Sequence, residues 1–294
     1  MNQAAGNHRG AGPAKALATG LRIVTFAGAD ATSFLDAQSM TALSALPAET
    51  VRLSAFADAR GRVLAVAPAW RTADVWRLAL PADEADRFAE HLARYRLRSR
   101  VEITVHRDTP VAGFAGPVPD GVPAPAPGTA AMRDGLETAA LDSRRNLVAA
   151  WAGAARPPFD VPAPGDGESP RWKQARLLAG EPRIESQARA AYLPQMLALD
   201  DLGAVSFAKG CYPGQEVIAR TRNFGRVKRR TVLLHGREAV ASGPVEIDGV
   251  KVDVLDCAQA PGGGFLVQAV APDPLPAELS ARRRAAQAES NKAS

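Results

Sequence analysis

Apolar and polar positions along the chain fall into short blocks with recognisable periods. Residues 21–28, LRIVTFAG, carry Leu21, Ile23, Val24 and Phe26 and predict a strand. Asp30 stands before residues 31–42, where Phe34, Leu35 and Met40 predict a helix with Asp30 as its cap. Three strands follow at 51–58, 61–70 and 75–81, separated by the turn-like stretches Asp58-Ala59-Arg60-Gly61 and Arg71-Thr72-Ala73-Asp74. Phe88, Leu92 and Tyr95 recur at helical spacing within 83–98, and 101–107 reads as a closing strand. Strand, helix, three strands, helix, strand is an α+β order with a largely antiparallel sheet.

Residues 115–128, AGPVPDGVPAPAPG, hold five prolines and predict a loop or linker. Regular structure resumes at 138–153, and a second Pro/Gly-rich loop covers 156–170. Ser169-Pro170 opens a helix, with Ser as N-cap and Pro at the first position, and Gly180 is placed to end it in the left-handed conformation. From 227 onward short alternating strands separated by turns suggest a small β-barrel or sandwich. Asp248-Gly249 there is a type I′ hairpin signal. The predicted organisation is a disordered tail at 1–19, an α+β unit at 20–112, a second α+β unit at 113–226, a β-barrel at 227–275 and a solvated tail, with a short helix allowed, at 276–294.

The 294 residues suffice for two or three compact units. No apolar run approaches a membrane span, and residues 1–20 lack the apolar core of a secretory signal, so the expected compartment is the cytoplasm and no membrane partner is expected. Two cysteines, Cys211 and Cys257, make neither a disulfide framework nor a self-contained metal site. A formal net charge of +5 permits anionic partners without choosing among them.

The stretch with most chemistry in it is KGCYPGQE, residues 209–216. Val217, Ile218, Thr221 and Phe224 form one helical stripe after it, and Gly225 stands where a terminating glycine belongs. Pro213 is then expected in the first turn, which puts Cys211 at or just before a helix N-terminus. Unpaired amides and the positive end of the helix dipole favour a thiolate there, and Lys209 would add to the effect if it turned toward the sulfur. Cys257, at a strand end, reads as a small buried hydrophobe. A cysteine hydrolase would need a base, and none of His8, His91, His106 and His235 lies in a recognisable partner motif. The run RTRNFGRVKRR, 220–230, has six basic residues around Phe224. It suits either RNA phosphates with a stacked base or a solvated helix end, and the second reading is preferred.

KGCYPGQEVIAR closely resembles the signature of the YgfZ-type folate-binding proteins, relatives of the glycine-cleavage T-protein. Residues 34–38, 59–65, 95–103, 141–147, 176–184 and 193–210 resemble further family segments in the same order. The resemblance implies a multi-domain, ring-like α+β arrangement with a C-terminal barrel around a central folate site. It implies tetrahydrofolate or a derivative as ligand, and a role in assembling or maintaining iron–sulfur clusters in client enzymes, one of which methylthiolates tRNA. The family's functional thiol falls on Cys211, framed by Lys209, Gly210, Tyr212, Gly214, Gln215, Glu216 and Arg220. Gln38, Arg144 and Arg176, inside matching segments, are the candidate folate contacts. The T-protein's catalytic aspartate has no counterpart in 62–67, RVLAVA, which argues against aminomethyl transfer; Asp58 is the nearest carboxylate in sequence. Ala37 replaces a family glycine, and Met40-Thr41-Ala42 replaces its T-N-D.

Overall fold

A computed structural model describes residues 16–142, 147–152, 157–163 and 166–292. Arg144 and His8 lie outside the described residues. The first sheet has the order β3-β4-β5-β2-β6, all antiparallel, built from β2 (Leu21–Ala27), β3 (Arg52–Ala57), β4 (Val63–Thr72), β5 (Val75–Pro81) and β6 (Glu102–Val105). Helices α1 (Ala31–Gln38) and α2 (Ala85–Ala93) cover one face. Val24 and Phe26 of β2 enter that layer with Leu35, Phe56 and Phe88, whereas Ile23 points to the opposite core with Trp70, Val111 and Trp151. The sheet is therefore buried on both faces. That is why β2 and β4 read as nearly continuous apolar runs and not as clean alternation.

The second sheet, β1-β7-β10-β9-β8, packs on that opposite face and comprises β1 (Leu17–Ala18), β7 (Val111–Ala115), β8 (Ala130–Arg133), β9 (Leu136–Asp142) and β10 (Leu147–Ala152). Leu17 and Ala18 pair with Gly113 and Ala112, so the last residues of the expected N-terminal tail belong to a sheet. The expected unit boundary at 112/113 falls inside β7. Helix α3 (Pro170–Ala179) has the expected ends: Ser169 Oγ accepts the Trp172 amide, and Gly180 is left-handed at φ 79°. Its Trp172 packs with Leu147 of the second sheet, while Leu177 and Leu178 pack on Ala258 and Leu266 of the third.

The third sheet, β11-β14-β13-β12, contains β11 (Arg229–Gly236), β12 (Gly243–Ile247), β13 (Val250–Gln259) and β14 (Phe265–Pro272). Asp248 and Gly249 both have positive φ, 50° and 79°, and join Ile247 to its partner Val250, as the hairpin signal required. Among the described residues the pairing is open, with β11 and β12 as edges, so no closed barrel forms. The segment expected as a solvated tail, with a short helix allowed, forms the longer α5 (Ala277–Lys292), which buries Leu279 against this sheet and Ala286 beside α3.

Two helix predictions are corrected. Helix α1 stops at Gln38, not at 42. Ser39 is extended, its Oγ accepts the Thr41 amide at 2.9 Å, and Met40 bonds to Ala55 (2.8 Å) and Ser206 (2.7 Å) through its backbone. A serine hydroxyl that satisfies a local amide competes with the helix, and here strand-like pairing completes the exchange. Asp30 precedes α1 but makes no side-chain cap; its carboxylate takes the Arg100 amide at 2.7 Å.

Candidate functional site

The motif sits where the first and third sheets meet. Tyr212 and Ile218 share one core with Met40, Val63, Leu199 and Leu255, which come from the first sheet, the 193–210 segment and the third sheet. Helix α4 (Gln215–Phe224) follows directly.

Gly214 is the N-cap of α4, with φ 77°. A Cβ there would lie 2.5 Å from Asp58 O and from the Cα and N of Gly61. Only glycine permits both the left-handed backbone and this approach. Gly61, itself at φ 73°, receives Ile218 and Val217 on its other side. Two glycines distant in sequence thus press the start of α4 onto the β3–β4 turn. Pro213 consequently lies before the cap and not in the first turn. Gly210 differs, because a Cβ there would meet nothing within 4 Å.

Lys209 is spent on structure. Its side chain is 4% exposed, and its Nζ donates to the carbonyls of Asp36, Ser39 (2.8 Å) and Thr41 (3.2 Å) and pairs with Asp36 Oδ1 at 3.4 Å. It thereby satisfies carbonyls left open where α1 ends. Burial lowers its pKa, opposed by Asp36. The ammonium is also 5.7 Å above the Tyr212 ring. The expected help to the thiol is corrected accordingly: the side chain has a full set of acceptors at α1. Tyr212 is buried, which raises its phenol pKa. Gln215 closes the loop, donating from Nε2 to Lys209 O at 3.4 Å.

Within this fixed frame Cys211 is exposed. Glu216 and Arg220 are exposed on α4, whose only buried residue is Ile218. The predicted apolar stripe is corrected: Val217 is 38% and Phe224 87% exposed. Gly225 is extended at φ −117°, not left-handed. Cys257 packs among Val252, Val254 and Val267, and burial pushes its thiol up.

The histidines are occupied elsewhere. His106 bonds Thr25 at 3.0 Å and meets the Trp151 ring edge-on. His235 bonds Gly263 O, and His91 leans on Tyr95. Burial lowers the pKa of both His91 and His106.

The candidate folate contacts fare differently. Arg176 is 3% exposed; Nε and Nη2 form a fork on Glu168 at 2.8 and 2.9 Å, Nη2 also pairs with Asp256, and Nη1 donates to Glu181 O. Burial acts to lower its pKa, but Glu168 and Asp256 hold it above the ordinary arginine value. It ties α3 to β13, with four of its five N–H donors taken by protein acceptors. Gln38 is half-buried at the end of α1 with its side-chain amide unbonded among the described residues, and Ala37 beside it is exposed. Asp58, the nearest carboxylate to the lost catalytic position, accepts the amides of Arg60 and Arg62, both at 2.9 Å, and shapes its own turn.

The basic run divides into three sets. Arg229 pairs with Asp253 at 2.7 Å, and Arg230 with Asp200 and Asp201 at 3.1 and 2.6 Å. Arg222 lies over the Phe207 ring at 3.8 Å. Arg220, Arg226 and Lys228 are exposed and have no ion pair among the described residues. Sequence reasoning missed Asp36 and the Gly61–Gly214 contact; the available signal was that Asp36 and Gly61 both lie in family-matching segments. Among the described residues no group of three His, Cys, Asp or Glu is placed to hold a metal, and no helix is long and apolar enough to cross a membrane.

No family model matches the chain. A tRNA-modifying protein YgfZ from Yersinia enterocolitica is 27% identical over 225 residues, spanning 73% of this chain and 68% of its own. The protein of that name from Edwardsiella ictaluri is 28% identical over 284 residues, 89% of this chain and 85% of its own. The crystal structure of the glycine cleavage system aminomethyltransferase T from Bartonella henselae matches in fold with a TM-score of 0.67 at 14% identity, over 88% of this chain and 79% of that one. The chain that carries KGCYPGQE is thus similar over most of its length to proteins of the YgfZ type, and in fold to the glycine-cleavage T-protein.

Proposed function

We propose that this protein is an accessory factor in tRNA modification that acts through the thiol of Cys211, assisting the assembly or maintenance of iron–sulfur clusters in client enzymes. One observation carries the reading. Cys211 is exposed while the residues around it are fixed by burial, a buried lysine and a glycine contact that admits no Cβ. Free cysteines usually pack as small hydrophobes, and a thiol held outward on a rigid frame is arranged to meet something. A single cysteine without a neighbouring metal-binding group supplies at most one ligand or one sulfur bond. The cluster, and the rest of its ligands, would belong to the client.

Aminomethyl transfer is disfavoured. Such an enzyme needs a carboxylate to manage the proton on the reacting nitrogen; residues 62–67 supply none, and Asp58 spends Oδ1 on two backbone amides of its own turn. Folate as ligand rests on the family and fold likeness. The candidate set fits it poorly among the described residues, since Arg176 is buried and spends four of its five donors on the protein, which leaves Gln38 as the candidate with an unbonded side chain. Calorimetric titration with tetrahydrofolate decides that point, and an absence of both heat and thermal shift removes the ligand from the account.

The thiol reading is tested by complementation. In a strain lacking the native protein, Cys211→Ser should be folded and present at the normal level yet fail to restore tRNA methylthiolation, read by mass spectrometry of digested tRNA. Full rescue by the serine variant would overturn it.

A further inference from the structure

We infer that the exposed end of α4 and the segment after it form a docking surface for single-stranded RNA, with phosphates on Arg220, Arg226 and Lys228 and an unpaired base stacked on Phe224. The inference deepens the reading above by naming what the accessory factor grips besides its client.

The sorting of the basic run is the first support. Arg229 and Arg230 are held by Asp253, Asp200 and Asp201, so they are structural. The remaining cations project from the surface without carboxylate partners among the described residues. Keeping four cations without carboxylate partners in the one stretch 220–228 carries a repulsive cost that an anionic partner relieves.

The aromatic is the second support. Phe224 is 87% exposed at the last turn of α4, between Arg222 and Arg226. Folding gains nothing from a phenyl ring left in water. Arg222 is stacked on Phe207, so its planar guanidinium is fixed and its charge still faces solvent. A cationic surface carrying a separate aromatic platform is the arrangement that single-stranded nucleic acid uses. The core of a protein interface, by contrast, is depleted of charge and draws on several apolar side chains, whereas here one ring stands among cations. The one acid on α4, Glu216, is in its first turn, away from Phe224.

Geometry also separates docking from thiol chemistry. Cys211 precedes the ten-residue α4, which spans about 15 Å. RNA on Phe224 would lie beside the thiol, outside bonding reach of it.

The test uses the full-length protein and fluorescence anisotropy with a labelled single-stranded RNA of about twelve nucleotides and its blunt duplex, in about 50 to 200 mM KCl. The single strand should bind more tightly than the duplex. Phe224→Ala should weaken it about 5- to 150-fold, the worth of one stacked base, with the salt slope unchanged. The triple variant Arg220→Gln, Arg226→Gln, Lys228→Gln should reduce that slope by about 2, at about 0.7 per phosphate contact. Cys211→Ser should bind RNA like the wild type. If it does so and also rescues tRNA modification fully, the thiol reading fails and the RNA surface stands. The RNA proposal is overturned if the wild type does not bind at low salt, if Phe224→Ala is silent, or if Phe224→Ala abolishes tRNA modification in cells while RNA binding persists, which would assign the surface to a protein.

Discussion

Two glycines of the same motif should respond oppositely to alanine. At Gly214 the backbone is left-handed, which costs an L-residue about 1–2 kcal/mol. The new methyl would also stand 2.5 Å from three backbone atoms of the β3–β4 turn. Backbone cannot rotate away as a flexible side chain can, so α4 or the turn must shift, at a cost of about 1–3 kcal/mol typical of overpacking. The sum, about 2–5 kcal/mol, is a large share of the roughly 5–15 kcal/mol that keeps a protein folded. At about 2–4 °C per kcal/mol for a chain of this order, Gly214→Ala should lower the melting temperature by about 4–20 °C. Gly210→Ala meets no atom within 4 Å and should stay within about 0.5 kcal/mol of wild type. Thermal and urea unfolding followed by circular dichroism compare the two. A Gly214→Ala protein as stable as wild type, or a Gly210→Ala protein equally damaged, would refute the packing account of the motif.

In the native protein a water-soluble disulfide reagent should modify Cys211 alone, and Cys257 should react only after denaturation, as mass spectrometry of the labelled chain would show. Arg176→Met leaves Glu168 with Arg183 and Asp256 with Lys173 as their remaining cations, and should cost a part of the roughly 3–5 kcal/mol of a broken buried pair in urea unfolding; a loss of folate affinity without a loss of stability would return Arg176 to the ligand. His91 and His106 have folded pKa values below the ordinary 6.5, chiefly through burial. The unfolded chain therefore takes up protons first, so their contribution is present above pH 6.5 and lost as pH falls through the folded values. Stability should drop on mild acidification, and the double variant His91→Gln, His106→Gln should show a shallower drop.

Local rules carried far in some places. Ser169, Pro170 and Gly180 delimit α3 by chemistry that each residue holds alone, and Asp248-Gly249 sets its hairpin in the same way. Where the cause lay elsewhere in the chain, the sequence was silent. Lys209 could not be aimed from KGCYPGQE, because its acceptors are at the end of α1. Phe224 fitted a helical stripe, yet the β3–β4 turn covers only the first half of α4, so Ile218 is buried and Phe224 is not. Helix α5 buries Leu279 and Ala286 within an otherwise polar stretch, too few anchors to announce a docked helix. Arg176 sat in a ligand-like position by resemblance, and only the placement of Asp256 on β13 explained its retention as a tie.

The bonds from Lys209 to the end of α1 have a bearing on when the protein becomes competent. Lys209 and Asp36 are 173 residues apart, and closing so long a loop is entropically uphill until intervening contacts form. The core holding Tyr212 and Ile218 draws on the first and third sheets together. A nascent or partly melted chain therefore has the cysteine but not its posture. The outward thiol is offered by a finished molecule, so the frame acts as proof of completed assembly, withholding the sulfur's proper presentation from chains that have not yet brought residues 36–41 and 209 together.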